Sequence, residues 1–103
     1  MTDHAPAVEV HCEPLAAGGW SCRVTVGGPG APTTHDVGVG AADLARLAPG
    51  AEAPDDLVCR SFLFLLAREP KGSILGRFEL PLIGRYFPEY EREIRQDGGQ
   101  PVR

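Results

Sequence analysis

Residues 57–66, LVCRSFLFLL, restrict the fold more than any other part of the 103-residue sequence, because no other stretch is as apolar over this length. Placed on a helix at about 100° per residue, the stretch fills one continuous arc with apolar side chains. That arc holds Leu65, Val58, Phe62, Leu66, Cys59 and Leu63, and the other side holds Arg60, Ser61, Ala67, Arg68, Leu57 and Phe64. A helix that is apolar over most of its circumference is usually covered on more than one side. We therefore predict a central helix over residues 57–68, with a sheet against one face and later chain against another.

Two alternating runs before this helix, residues 8–13 and 20–26, predict half-buried strands joined as a hairpin. Apolar positions must face apolar positions, so even-numbered residues pair with even-numbered residues. The predicted register places Val10 opposite Val26 and Cys12 opposite Val24. A glycine-containing loop closes the hairpin in this prediction.

The remaining sequence predicts short elements. A third strand over residues 33–39 alternates His35, Val37 and Val39 on one face, and a short helix follows at residues 41–48. Residues 73–78 are predicted as a brief helical turn and residues 82–86 as a short helix. Pro88 suits the first position of a last helix that ends near Gln96.

These elements predict an α+β fold, a three-stranded antiparallel meander packed on one face by the central helix and short C-terminal helices. At this length we expect a single domain, which we place at residues 8–96. Residues 1–7 are predicted to be a flexible start and residues 97–103 a polar tail.

The composition favours some environments over others. The net charge of −4 disfavours nucleic acid and acidic membranes as partners. No apolar run approaches the roughly 20 residues of a membrane helix, and the N-terminus lacks the regions of a signal peptide. The odd number of cysteines, three, fits a reducing compartment better than a disulfide framework. We therefore predict a cytoplasmic protein.

The cysteines and histidines do not form a recognisable chemical motif. Cys12, Cys22 and Cys59 contain no C-x-x-C pair, and no histidine lies at a chelating offset from another. We predict three reduced, buried cysteines that fill the core. Lys71-Gly72-Ser73 lacks the first glycine of a phosphate loop, and no G-x-S-x-G occurs. We expect no catalytic residue, no cofactor and no metal, so that a thiol- or metal-dependent enzyme is the weakest hypothesis.

Nucleic-acid binding is the alternative from a different class, as a nucleic-acid-associated regulator or an antitoxin-like partner protein. Its support is a group of bases in the helical half, Arg60, Arg68, Lys71, Arg77 and Arg85. Acidic residues are interleaved with these bases, and no helix-turn-helix or RNP-like pattern is present. A phosphate-binding surface needs a stronger local positive charge.

Surplus apolar surface favours a protein-binding role instead. Phe64 falls on the polar side of the central helix, and residues 80–90 combine aromatic residues with arginine, a composition common in protein–protein hot spots. The predicted protein-binding residues are Phe64, Arg60, Arg68, Arg85, Tyr86, Phe87 and Tyr90. The alternative for the 80–90 segment is that it covers the core. We predict a small non-catalytic interaction module that self-associates, for example as a homodimer, or docks on a larger protein.

The motifs ADLARLAPG, SFLFLLAREPKGSIL and LPLIGRYFPEYEREI together resemble a group of short bacterial proteins of unknown function. The resemblance covers residues 36–94. It implies a small stand-alone bacterial domain and implies no activity, cofactor or site.

Overall fold

A sheet of four strands, with helices against one face, forms the fold in the computed structural model, which describes residues 7–97. The strands are β1 (Val8–Pro14), β2 (Trp20–Val26), β3 (Thr33–Val39) and β4 (Arg77–Glu79). The helices are α1 (Ala41–Leu47), α2 (Asp55–Leu66), α3 (Leu82–Tyr86) and α4 (Tyr90–Asp97). The predicted α+β class is confirmed. The predicted flexible start and polar tail fall almost entirely outside the described residues.

The sheet has the order β1-β2-β3-β4, and its first three strands form the predicted antiparallel meander. The fourth strand corrects the prediction, because β4 pairs in parallel with β3. The predicted helical turn at residues 73–78 is also wrong: a 3₁₀ turn at Lys71–Ser73 is followed by extended chain. Phe78, at the centre of β4, is buried against Phe62, so the extra strand adds to the cover of α2.

The register of the first hairpin differs from the prediction by two residues. Val10 lies opposite Val24, and Cys12 lies opposite Cys22. Both registers pair even residues with even residues, so the alternation alone could not separate them. The observed turn places Gly19 at a φ of 80°. A Cβ there would lie 2.7 Å from the carbonyl oxygen of Val39, which explains why glycine fits this position.

This register joins Cys12 and Cys22 in a disulfide bond, so the prediction of three reduced, buried cysteines is wrong. Cys59 is a free thiol and is half-buried. Burial, and the negative charge of Asp56, raise the pKa of this thiol. The odd cysteine count therefore no longer argues for a reducing compartment, and the cytoplasmic location stays a prediction.

One face of the sheet packs against the helices. The alternation in β2 and β3 is confirmed, since the core includes Cys22, Val24, Val26, His35, Val37 and Val39. Within residues 7–97, none of the helices has both the length and the apolar character needed to cross a bilayer.

The buried side of α2 is rotated relative to the predicted arc. Phe62 is fully buried as predicted, but Leu63 is 44% exposed and Phe64 only 8% exposed. Ser61, which we placed on the polar side, is completely buried. The rotation arises because α4 packs on the side that the sequence marks as polar. The central helix is thus covered on two sides, as predicted, with one of the two sides misplaced.

Candidate protein-binding surface

Phe64, Phe87 and Tyr90 form an aromatic cluster between α2 and the C-terminal helices. The ring of Phe64 meets Phe87 at 5.8 Å and Tyr90 at 5.2 Å between centroids, both edge-on. Edge-to-face contacts at these distances are favourable because the positive edge of one ring meets the negative face of another. Tyr90 is 1% exposed and Phe87 is half-buried, so the cluster belongs largely to the core.

Arg68 closes this cluster from the solvent side. Its guanidinium carbon lies 3.6 Å from the centroid of the Phe64 ring, a cation–π contact. Its nitrogens bind Glu89 and Glu93 of the C-terminal segment, each at 3.2 Å. The pKa of Glu89 is lowered because its carboxylate accepts hydrogen bonds from its own backbone N–H and from Arg68. The arginine is therefore held over the aromatic ring by two carboxylates.

The hydroxyl of Tyr90 has a buried partner on α2. It lies 2.7 Å from the Ser61 hydroxyl, which donates its own proton to the carbonyl of Leu57 at 2.8 Å. Because the only hydroxyl proton of Ser61 is used in the bond to Leu57, the Tyr90 hydroxyl is the donor in its bond to Ser61. Burial raises the pKa of Tyr90 to about 12. Ser61 can be buried on α2 because its hydroxyl donates to the Leu57 carbonyl and accepts from Tyr90.

Arg60 joins α2 to α4 within the molecule. Its Nε lies 2.7 Å from Asp56, and another nitrogen donates to the carbonyl of Ile94 at 2.8 Å. The Arg60 side chain is only 16% exposed. Arg60 and Arg68 thus both use their charge within the molecule.

The structure therefore divides the seven predicted binding residues. The expectation that Phe64 adds to a surplus apolar surface is wrong, because Arg68, Phe87 and Tyr90 enclose it and leave it 8% exposed. The residues that fasten or fill the fold are Phe64, Tyr90, Arg60 and Arg68. Arg85 and Tyr86 are exposed, and Phe87 is half-buried beside them. A binding role for these last three stays a prediction.

An apolar groove that the sequence analysis missed lies beside Tyr86 and Phe87. It has a volume of about 380 Å³. The groove is lined by Leu65, Glu69, Ser73, Ile74, Leu75, Phe78, Leu82, Ile83, Tyr86 and Phe87. Leu75 is 48% exposed and Tyr86 is 66% exposed, and both are among the four large apolar residues with such exposure in residues 7–97.

The wall of the groove that carries Leu75 is fixed to the sheet. The carbonyl of Leu75 accepts a hydrogen bond of 2.7 Å from Nδ1 of His35. Because the carbonyl can only accept, Nδ1 carries the proton, and Nε2 accepts from the Thr33 hydroxyl at 2.9 Å. The backbone N–H of Asp36 also donates to the carbonyl of Gly76 at 2.8 Å. These bonds turn the Leu75 side chain outward and hold it there.

The sequence carried a weak signal for this wall. Ile74 and Leu75 are adjacent apolar residues between Gly72 and Gly76. Assigned to a helical turn, both could be placed in the core. In extended chain their side chains point to opposite sides, so that Ile74 is buried and Leu75 is exposed.

Among residues 7–97, no three His, Cys, Asp or Glu side chains come together as a metal-binding group. Comparison of the chain with protein-family models, with curated proteins and with solved structures gave no match. What bears on function is therefore the geometry of the groove and of the sheet.

Proposed function

We propose that this chain is a small non-catalytic protein-interaction module whose binding site is the groove beside Tyr86. The observation that carries the proposal is the pairing of a preformed apolar groove with two large exposed apolar side chains, Leu75 and Tyr86, on its rim. Clustered exposed apolar residues mark interaction sites in monomeric proteins. An aromatic rim residue beside a pocket is also the arrangement of an interface hot spot.

The occupant that we propose is an apolar segment of a larger protein that carries a basic residue. Glu69 is the one charged residue among those that line the groove. An arginine or lysine of the partner would face this carboxylate while neighbouring apolar side chains enter the groove. Small polar ligands are less well served, since Ser73 and Glu69 are the main polar side chains available to orient them.

The groove needs little rearrangement to bind. The hydrogen bond from His35 to the Leu75 carbonyl fixes one wall, and helix α2 supplies the buried side chain of Leu65 at the base. A preformed site loses less conformational entropy on binding than a mobile one. The predicted membership of a bacterial group would be compatible with such a module and stays a prediction.

The experiment compares proteins retained by the wild-type chain and by two variants, from a lysate of cells that make the protein naturally. Tyr86→Ala removes the aromatic rim residue, and Leu15→Ala, an exposed residue of the β1–β2 turn that does not line the groove, is the matched control. We expect a protein that wild type and Leu15→Ala retain and Tyr86→Ala loses. With that protein purified, Tyr86→Ala should weaken binding by roughly 30-fold, the effect of a hot-spot residue.

Glu69→Gln tests the basic residue of the partner. It should weaken binding several-fold, with a difference that shrinks at high salt because the charge pair lies at the rim. Equal retention of every captured protein by Tyr86→Ala, or the capture of none by wild type, would overturn the proposal. Retention that disappears after nuclease treatment would instead support the nucleic-acid alternative.

A further inference from the structure

The first strand, β1, forms an open edge of the sheet. Within residues 7–97 it pairs with β2 and with no other strand. The N–H of Gly27 donates to the carbonyl of Ala7, and the N–H of Leu15 donates to Gly19, so odd-numbered residues of β1 are the hydrogen-bonded pairs. The backbone groups of the even-numbered residues therefore point away from the sheet. These residues are Val8, Val10, Cys12 and Pro14, of which the proline has no N–H.

The apolar cover is incomplete at this same edge. On β2 the side chains of Cys22, Val24 and Val26 are at most 1% exposed. Their neighbours on β1, which are Val8, Val10 and Cys12, are only half-buried.

The adjoining flank of α2 is also partly uncovered. Helical periodicity places Cys59, Leu63 and Leu66 on one flank of α2. Leu65 lies on the opposite flank, where it lines the groove together with Phe78 of β4. Since β4 is the far edge of the sheet, the flank with Leu63 lies towards β1. Leu63 is 44% exposed. One continuous surface is thus only partly covered. It consists of the unpaired backbone edge of β1, the half-buried side chains of β1 and the flank of α2 that carries Leu63.

We propose that this edge binds β1 of a second copy of the chain, antiparallel and centred on Val10. In this register Val10 faces its own equivalent, and Val8 faces Cys12 of the second copy. The three facing pairs can exchange about six N–H···O bonds. The contact is isologous, because the same patch serves both copies, and it closes after two chains.

The charged side chains of β1 favour this register, and they favour a second copy of β1 as the strand that binds the edge. On the solvent face, Glu9 then lies opposite His11 of the second copy, and Glu13 lies opposite Ala7. A slip by two residues in one direction places Glu9 opposite Glu9, and a slip in the other places Glu9 opposite Glu13. Directly opposed like charges destabilise a strand pair. The register centred on Val10 is therefore the one of these three that avoids opposed carboxylates.

The test is His11→Glu, which places a carboxylate opposite Glu9 of the second copy in both symmetry-related pairs of the proposed dimer. His11 is exposed and faces Arg23 within the monomer, so the substitution leaves the fold intact. Thr34→Glu, on the same face of β3, adds the same charge away from the edge and is the control. By sedimentation equilibrium, His11→Glu should raise the dimer dissociation constant roughly tenfold, and Thr34→Glu should leave it unchanged.

A charge exchange then tests the register. Adding Glu9→Lys to His11→Glu restores opposite charges across the proposed pair, and it should restore dimerisation. A wild-type chain that stays monomeric up to its solubility limit, a dimer insensitive to His11→Glu, or a double variant without rescue would each overturn the proposal. Tyr86→Ala should leave the dimer intact, so failure at the groove and failure at the β1 edge are distinguishable.

Discussion

Two flanks of α2 carry similar apolar residues, but one flank is covered by the chain and the other lines an open groove. On one flank, Phe64 and Tyr90 are sealed beneath Arg68. On the other, Leu65 and Phe78 lie at the base of an open groove whose rim holds exposed apolar side chains.

The difference comes from the chain that covers each flank. The sealed flank is met by α4, whose preceding turn and first turn supply the carboxylates of Glu89 and Glu93 that fix Arg68. The open flank is met by the irregular segment after Pro70, whose backbone bonds to β3 and turns Leu75 outward. Aromatic residues near arginine therefore do not by themselves identify a binding surface. What the arginine binds decides whether it covers the ring or leaves it accessible.

The largest contrast is expected between Phe64→Ala and Tyr86→Ala. Phe64→Ala leaves a cavity within the sealed cluster and should lower the free energy of unfolding by about 3–5 kcal/mol. Tyr86→Ala should change it by less than about 0.5 kcal/mol, because the side chain is largely in solvent. Urea denaturation followed by circular dichroism measures both. Similar effects from the two variants would erase the distinction between the flanks.

High pH should lower the free energy of unfolding, because Tyr90 in the sealed flank ionises more readily once the chain is unfolded. Its pKa is raised to about 12 from an ordinary 10, so the folded state keeps the phenol protonated where the unfolded state ionises. The contribution is fully present below pH 10 and is lost as the pH rises through about 12. We expect a loss of about 2–3 kcal/mol in the free energy of unfolding across this window.

The control for the alkaline experiment is Tyr90→Phe, which cannot ionise. Its unfolding free energy should fall less steeply above pH 10, even though its starting stability is lower for want of the bond to Ser61. If the unfolding free energies of wild type and Tyr90→Phe fall in parallel above pH 10, the burial of this hydroxyl does not govern the loss of stability at high pH.

The smallest effect concerns the arginine that closes the cluster. Arg68→Gln removes the cation–π contact and both ion pairs, and should lower the free energy of unfolding by about 1–2 kcal/mol. Arg85→Gln is the matched control on the open side and should be nearly neutral. The loss from Arg68→Gln should diminish in high salt, since its carboxylate partners are partly exposed. Equal stabilities of the two variants would mean that Arg68 does not seal the cluster.

Much of the secondary structure was predictable because its signals are local. The period of two in β2 and β3 marks their buried faces directly. The apolar run of α2 and the proline and glycine residues around it mark a helix of the right length. The last helix begins at Tyr90, two residues later than predicted, because Pro88 lies in the turn before it.

The groove was not predictable from the same signals. It depends on β4, which has three residues and leaves almost no periodicity to detect. It also depends on the bond between His35 and the Leu75 carbonyl, whose partners are 40 residues apart. The disulfide was not predicted for a related reason. A two-residue change of register keeps the alternation of apolar and polar residues in both strands, so the alternation does not show that Cys12 faces Cys22.

The sequence by itself determined which segments become the strands β1 to β3 and the four helices, and that these three strands form an antiparallel meander beneath one apolar helix. Those choices follow from backbone preferences and from side-chain periodicity, which act over a few residues. Only the tertiary structure decided which side of α2 is buried, whether Cys12 and Cys22 meet, and which aromatic residues reach solvent. The Ser61 hydroxyl donates within α2 to Leu57 and also accepts from the distant Tyr90, and Phe64 is covered because Arg68 reaches two carboxylates of the last helical segment. A polar residue can be buried wherever a distant part of the chain satisfies it, and such partners cannot be recognised by spacing along one helix.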